Sequence, residues 1–485
     1  MRNKILFGMI ILSFVIGVCT LRRGHEWGDD FAWYILQAQS IVKGTTDDFI
    51  QTSAFTNNES TTYVGPLAYP WGYPLILTPA YAIKGINPLA LKIPALFFYG
   101  GFLVCLYLLL RVRLTKAESL LLVSLFAFNP LLLQFLDQIL SDIPYLFFST
   151  LSLWLITKEG RQNVQQNIWI GVSIFLVTFL RATGILLLAC FLTVEFFRLI
   201  NHRKDWGAVK QVILASFIVC VSFGLLWIAN SILFPGGGDS YVSQYAGLSV
   251  ESVRNSVAAY FNVYSLFFGE GAGWRYLYYL LVIFFLIGAW THRKEELFFL
   301  LFFGVWMIVH IAYPYWQGPR YIFPLLPIFI YFTFQGMKFV IQALPERYTQ
   351  IGYRTLYSFW SLIALIFLFN SSINAYINLQ HDRAINGPFD QYSKEVYRYI
   401  REATPANSVI IFFKPRVMVL MTDHQTIMST ECDRMLKGDY LVLSRKVGKN
   451  QQIPPEEIDA CHLPLKEVLK NSRFIVYQIR KQDLN

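Results

Sequence analysis

Charge is scarce in this sequence. Asp, Glu, Lys and Arg make up 15% of its 485 residues, where soluble domains carry roughly 25%. With 55% hydrophobic and 17% aromatic residues, that scarcity excludes an ordinary soluble enzyme and leaves a polytopic membrane protein. Other signals are missing too. There is no glycine fingerprint for a nucleotide, no His-Glu-x-x-His spacing for zinc, no internal repeat and no low-complexity stretch. The six cysteines do not form a disulfide scaffold. Cys19, Cys105, Cys190 and Cys220 fall in apolar runs, whereas Cys432 and Cys461 fall in a polar tail and are open to pairing if that tail is extracytoplasmic. The net charge of +10 does not form a nucleic-acid footprint, because the basic residues sit in short clusters between apolar runs. No small-x-small cleavage site follows the first apolar run, so it reads as an uncleaved membrane helix.

What is abundant is apolar sequence in blocks. A crossing needs about 20 apolar residues, which predicts about eleven spans at 5–21, 91–110, 117–134, 142–157, 166–180, 183–200, 209–233, 276–291, 296–313, 321–341 and 355–373. The connections holding Arg111, Arg113, Lys116, Lys158, Arg161, Arg203, Lys204, Arg293, Lys294, Lys338 and Arg347 alternate with connections near 134–141 and 313–319 that have no Lys or Arg. The positive-inside bias therefore places 22–90, 234–275 and everything after about residue 372 outside. The expected organisation is a transmembrane domain over 1–372 followed by a small extracytoplasmic α/β domain over 373–485. In that tail, helix signals at 391–403 and 463–469 alternate with strand signals at 408–413, 440–444 and 473–479.

The first outside loop, about 65 residues, is longer than a connector needs to be. It predicts a helix over 31–43 lying on the membrane surface, with Phe31, Ile35 and Ala38 on one face. The run Tyr69-Pro70-Trp71-Gly72-Tyr73-Pro74 reads as irregular. The second outside loop opens with Pro235-Gly236-Gly237-Gly238 and continues as an aromatic segment over 241–268. At the start of the first loop helix stand adjacent carboxylates, Asp29 and Asp30. Either they cap the helix, or they are functional acids at a membrane exit, where burying a carboxylate is costly. Mutual repulsion and desolvation should raise one of their pKa values, as suits a general base.

Several short motifs then add up. The run from Asp30 to Ala38, DFAWYILQA, resembles the Asp-Glu-Ala-x-Tyr-x-x-x-Ala pattern of the GT-C glycosyltransferases, in the branch of the protein O-mannosyltransferases and lipid A aminoarabinose transferases. Phe31 takes the second acidic position, and the extra acid is Asp29. Tyr69-Pro70-Trp71-Gly72-Tyr73-Pro74-Leu75 is similar to the family's Tyr-Pro-Pro-x-Tyr-Pro-Leu. Ser141-Asp142-Ile143-Pro144, Arg181-Ala182-Thr183-Gly184 and Arg320-Tyr321-Ile322-Phe323-Pro324-Leu325 resemble its Ser-Asp-x-Pro, Arg-Pro-Thr-Gly and Arg-Tyr-hydrophobic-Pro-Leu segments. The order of these motifs is more specific than any one of them.

The resemblance implies a GT-C fold and an inverting transfer of a hexosyl or pentosyl group. The donor is a polyprenyl phosphate, and the acceptor is a lipid, glycan or protein outside the membrane. It implies Asp30 as base. Asp29 then reads as a second acid, and Arg320 and Arg181, both at outer helix ends, read as holding the donor phosphate or as snorkelling to the headgroups. Asp142, Tyr34, Trp71, Tyr73 and Tyr321 are further candidates for the substrate site. Either a divalent metal or an Arg fork can stabilise the leaving phosphate, and His25 and Glu26 beside the pair do not match a known metal spacing. Arg275 reads as an interfacial anchor and Glu270 as a solvated loop acid. Tyr313, Tyr315 and Trp316 read as aromatic-belt residues, as Trp71 and Tyr73 do on the bland reading. In a bacterial cell the compartment would be the inner membrane, with the site facing the periplasm. Two rival readings are a flippase for a lipid-linked sugar and a polysaccharide polymerase or ligase. A transporter places ionisable groups near the bilayer midplane, whereas here the acids lie in an outer loop.

Overall fold

All eleven apolar runs form helices in the computed structural model, which describes residues 2–158, 163–236, 245, 247–314, 316, 318–448 and 450–481. Arg161, Gly237, Gly238, Tyr241 and Tyr315 lie outside the described residues. α1 (Arg2–Thr20) leads into the first long loop, which contains α2 (Asp30–Lys43), α3 (Thr46–Glu59) and α4 (Gly72–Lys84). Then follow α5 (Pro88–Arg111), α6 (Lys116–Ala127), α7 (Pro130–Leu136), α8 (Asp142–Thr157), α9 (Val164–Leu180), α10 (Ile185–Asn201) and α11 (Trp206–Leu233). The second long loop holds α12 (Val250–Val263) and precedes α13 (Ala272–Thr291), α14 (Leu297–Ala312), α15 (Leu326–Gln342) and α16 (Glu346–Gln380). Among the described residues six helical segments are long and apolar enough to cross a membrane, or seven if α6 and α7, bent by 55°, are one span. The shorter apolar helices α1, α8, α9 and α14 pack beside them.

The helix ends follow local chemistry. Thr115 and Glu118 form a reciprocal capping box that starts α6. The bend after α6 arises at Asn129-Pro130. Proline disfavours a helical conformation for the residue before it, and Asn129 is extended and caps α7 through Leu132 N. α13 and α15 touch along their backbones: a Cβ built on Gly288 would lie 2.0 Å from the Phe332 carbonyl oxygen, and one on Gly336 would lie 1.9 Å from that of Phe284. Small residues allow such close packing in the absence of a hydrophobic force between membrane helices.

Three expectations about the helical part need correction. α2 does not lie on a membrane surface: Phe31, Trp33, Tyr34, Ile35, Gln37 and Ala38 are all buried, because the core covers one side and the tail domain the other. Gly72, Tyr73 and Pro74 are the first turn of α4 rather than irregular chain; proline is tolerated there because first-turn N–H groups have no partner within the helix. The last apolar helix runs on to Gln380, so the soluble tail starts about eight residues later than the composition change suggests.

In the tail, α17 (Gln391–Ala403) precedes β1 (Ile410–Phe412), α18 (Pro415–Thr422), β2 (Thr426–Ile427), α19 (Cys432–Met435), β3 (Tyr440–Ser444), β4 (Leu465–Lys470) and β5 (Phe474–Ile479). The sheet order is β2-β1-β3-β5-β4. β1 runs parallel to β2 and β3, and β5 runs antiparallel to β3 and β4. β1 and β3 are buried along their whole length, as continuous apolar runs predict for central strands. The stretch expected to be helical at 463–469 is largely the edge strand β4, because pairing with β5 satisfies its backbone and leaves Lys466 and Glu467 in solvent. Cys432 and Cys461 are joined in a disulfide. Trp27 packs on Phe412, Phe413 and Phe474 at ring distances of 6.0, 5.0 and 6.1 Å, seating the sheet on the first loop.

Gly288→Ala should cost about 1–3 kcal/mol through overpacking, because the new methyl meets backbone rather than a movable side chain. A thermal melt of the detergent-solubilised variant measures the loss. The same change at Gly304, which has open space around it, should leave the melt unmoved.

Candidate active site

The site begins with how the first loop leaves the membrane. Lys92, fully buried on α5, donates to the carbonyl oxygens of Arg22 (3.0 Å) and Gly24 (2.6 Å) and to Asp137 Oδ1 (2.7 Å). Arg22 meets the other oxygen of Asp137 at 2.5 Å. This buried network fixes the chain just ahead of Asp29 and Asp30. Asp29 occupies the residue before α2 in a helical conformation and makes no side-chain cap, so the helix-cap reading does not hold for it.

Asp30 is the first residue of α2, where the helix dipole favours an anion. Its Oδ1 accepts a hydrogen bond of 2.6 Å from the Tyr69 hydroxyl, and its Oδ2 accepts one of 3.1 Å from Arg320 Nη1. Tyr69 is held by its backbone: Gln37 of α2 donates to its carbonyl at 2.9 Å and accepts from its N–H at 3.1 Å. Arg320 lies in a 3-10 segment, Gly318–Leu325, tied down by Trp306 Nε1 donating to the Tyr321 carbonyl at 2.7 Å.

A second ion pair lies nearby. Arg181, at the extended end of α9, meets Asp142 Oδ1 at 2.7 Å and donates through Nε to Ser141 Oγ at 2.9 Å. Ser141 Oγ also meets the Tyr34 hydroxyl at 3.2 Å. The Tyr321 ring lies between the two guanidiniums, 5.6 Å from that of Arg181 and 5.5 Å from that of Arg320. Asp30, Tyr34, Tyr69, Arg181, Arg320 and Tyr321 line one cavity of about 720 Å³, whose other walls include Leu180, Ile185, Leu186 and Val309. A polar face with two cations and one carboxylate thus opens directly onto an apolar lane.

No family model matches the sequence, and neither does any curated protein. Solved structures do match in shape. ArnT from Cupriavidus metallidurans bound to undecaprenyl phosphate superposes with a TM-score of 0.60 at 12% identity, over 97% of each chain. AglB from Archaeoglobus fulgidus, in complex with an inhibitory peptide and a dolichol-phosphate, gives 0.56 at 12% identity, over 99% of this chain and 75% of that one. The fold is GT-C.

Within this GT-C fold the expected residues divide. Asp30, Arg181, Arg320, Tyr34 and Tyr321 line the cavity, and Asp142 lies directly behind Arg181. Asp29 does not line it: 14% of its side chain is exposed, against 32% for Asp30. Trp71 and Tyr73 do not reach it either. Trp71 stacks on Phe234 and donates to the Pro235 carbonyl, and Tyr73 is buried edge-on against Tyr34. Arg275 and Glu270 are exposed outside it, and Trp316 packs on Tyr260. Tyr313 lines the cavity rather than serving only as a belt residue. The sequence reading passed over Tyr69, although it heads the Tyr-Pro motif. It also passed over Lys414 and Arg416 of the tail, for which no motif exists.

Electrostatics separates the two acids. Burial raises Asp29 to about 6 against the opposing pull of Lys414 and Arg416. Burial pushes Asp30 the same way, but Arg320, the Tyr69 hydroxyl and Arg416 outweigh it and hold Asp30 below the usual carboxylate range. The raised acid is therefore Asp29, while the cavity acid is kept ionised. Tyr69, pushed well above its ordinary value by burial and by Asp30, stays a proton donor. His25 is lowered to about 3 by burial, stacks on Phe31 and accepts from the Ile139 N–H.

Divalent cations of the magnesium or calcium kind take several oxygen ligands. Among the described residues no three His, Cys, Asp or Glu side chains converge on one point, and cations already surround the pair. Glu26 is held by Arg22 at 2.7 Å.

A carboxyl raised by folding contributes stability at acid pH that is lost as pH rises through its folded pKa. Asp29→Asn removes that titration. Its melting temperature relative to the unchanged protein should therefore climb between pH 3.8 and about 6 and level off above. A difference independent of pH would show that burial does not govern Asp29.

Proposed function

We propose that this protein is an inverting glycosyltransferase that moves a sugar from a polyprenyl-phosphate donor to an acceptor hydroxyl on the extracytoplasmic face. The observation that carries this reading is the placement of Asp30 on the cavity wall, between a tyrosine hydroxyl and a guanidinium, with a second guanidinium on the same polar face. Two guanidinium forks suit a phosphate geometrically and electrostatically. The apolar walls suit the donor's hydrocarbon chain, and the fold is shared with proteins crystallised with undecaprenyl phosphate and dolichol-phosphate.

The chemistry follows from the ion pair. Arg320 is the main countercharge that depresses Asp30. A donor phosphate competes for that guanidinium, and as it does so Asp30 becomes more basic where the acceptor enters. Asp30 takes the hydroxyl proton, and the acceptor oxygen attacks the anomeric carbon. The bond from that carbon to the phosphate oxygen breaks with its electron pair on the lipid phosphate. Arg320 and Arg181 are placed to take up the charge that develops there. Attack opposite the leaving group inverts the anomeric centre. Tyr34 and Tyr321 offer hydroxyls and ring faces to the sugar, and Asp142 orients Arg181 from behind.

A panel of polyprenyl-phosphate hexoses and pentoses, offered to the purified protein with lipid, glycan and peptide acceptors, tests the reading. Asp30→Asn should lower kcat by about 10²–10⁴-fold, as loss of a general base does, with donor binding retained. Arg320→Lys should weaken donor binding as well, because a single ammonium replaces a fork. Full transfer by Asp30→Asn would remove the base assignment. Donor binding with no turnover across the whole panel would favour a flippase.

A further inference from the structure

The tail domain reaches Tyr69 through the side chain of Arg416. Arg416 is the second residue of α18, at the turn leaving the carboxyl end of β1, and it is wholly buried. Its Nη1 donates to the Tyr69 hydroxyl at 3.1 Å and its Nη2 to the Pro66 carbonyl at 2.9 Å. The guanidinium lies over the rings of Trp33 (4.6 Å) and Tyr69 (5.5 Å). The loop is shaped for it. Gly65 adopts φ +136°, and a Cβ there would sit 2.5 Å from the guanidinium, so a side chain at 65 is excluded by both conformation and space. In open α/β sheets the carboxyl ends of parallel strands are where ligands bind. Here that edge is occupied by the first loop of the transmembrane part. Two residues along, Lys414 stands 3.9 Å from Asp29.

We propose that the β1–α18 turn is a positioning element of the reaction centre, in which Arg416 holds the Tyr69 hydroxyl so that its proton points at Asp30. Tyr69 oxygen accepts from Arg416 and donates to Asp30, and a hydroxyl that accepts from a cation is a stronger donor. The relay thus fixes one carboxylate oxygen and keeps it ionised, leaving the Arg320-facing oxygen to be released when that arginine is drawn away. Asp30 is faced by Tyr34 on α2, Asp29 and His25 before it, Tyr69 in the loop, Arg320 of the 3-10 segment and Arg416 of the tail. Of these, Arg416 belongs to the tail domain and does not line the cavity. An arginine acting on Asp30 through its charge alone would shift Asp30 equally with or without the Tyr69 hydroxyl, whereas the relay requires that hydroxyl. The kinetic consequence rests on the transferase reading, but the effect on Asp30 does not.

The test uses the full chain in detergent, labelled with ¹³C-aspartate, with the Asp30 carboxylate band followed by infrared titration and assigned by its loss in Asp30→Asn. In Arg416→Met, which keeps bulk but removes charge and donors, Asp30 should titrate at higher pH than in the unchanged protein. Tyr69→Phe should move it in the same direction, and the double variant should shift less than the sum of the two, because both act through one hydroxyl. In the transfer assay the acidic limb of the pH profile should move up, with kcat reduced about 10–100-fold by misorientation and donor KM unchanged. An unmoved Asp30 titration in folded Arg416→Met overturns the proposal. If that variant does not fold, Tyr69→Phe decides alone, and an unmoved titration there overturns the relay. A shifted Asp30 in a protein that transfers no sugar leaves the positioning role standing and removes the enzymatic one.

Discussion

The structure depends on one ion pair that joins distant parts of the chain. Arg320 and Asp30 meet at 3.1 Å although 290 residues separate them. Exposed pairs of this kind contribute little to stability, and buried ones often fail to recover the cost of leaving water. Stability is therefore a poor reason for so much surrounding structure to hold these two groups in place. Lys92 and Asp137 pin the chain before Asp30, Gln37 clamps the backbone of Tyr69, and Trp306 holds the segment that carries Arg320. Each of these supports is buried and hydrogen-bonded, which is how a site keeps its geometry while presenting charge to an open cavity.

Much of this was legible in the sequence, for physical reasons. Helices facing lipid must be apolar, so the eleven apolar runs could be read as helices without knowing the packing, while among the described residues six or seven segments are long and apolar enough to cross a membrane. α17 was legible residue for residue because Asp390 caps it and its apolar face repeats with helical period. The cavity residues Asp30, Arg181 and Arg320 were legible through motifs that keep their order along the chain.

What escaped the sequence reading depends on contacts across long distances. The stretch Leu-Lys-Glu-Val-Leu-Lys at 465–470 has good helix formers, yet becomes a strand because β5 offers it an open edge. Trp71 and Tyr73 look like sugar-stacking residues until α4 and the Phe234 ring enclose them. Arg416 has no local signature, since its partners lie about 350 residues upstream. Which acid of the pair is raised was not legible for the same reason. Repulsion between neighbours is visible in sequence, but the cations that break the tie come from residues 320, 414 and 416.

The two ion pairs also suggest why the cavity needs both. Asp30, Asp142, Arg181 and Arg320 are together neutral. A polyprenyl-phosphate sugar would bring one negative charge on its phosphodiester. On the proposed reading, the acceptor's proton neutralises Asp30 while the departing phosphate gains the charge that Asp30 gives up. The net charge inside the cavity stays the same through the chemical step; only its position moves, from the α2 side toward the two guanidiniums. In a low-dielectric pocket, creating a new charge is far more costly than shifting one between prearranged partners. Asp142 matters to this balance because it compensates the charge of Arg181 at the cavity wall. An arrangement with a single arginine would have to give up the countercharge of the base in order to hold the leaving group. With two, the phosphate can be held by Arg181 while Arg320 passes from carboxylate to phosphate, so the base is released as the leaving group is gripped.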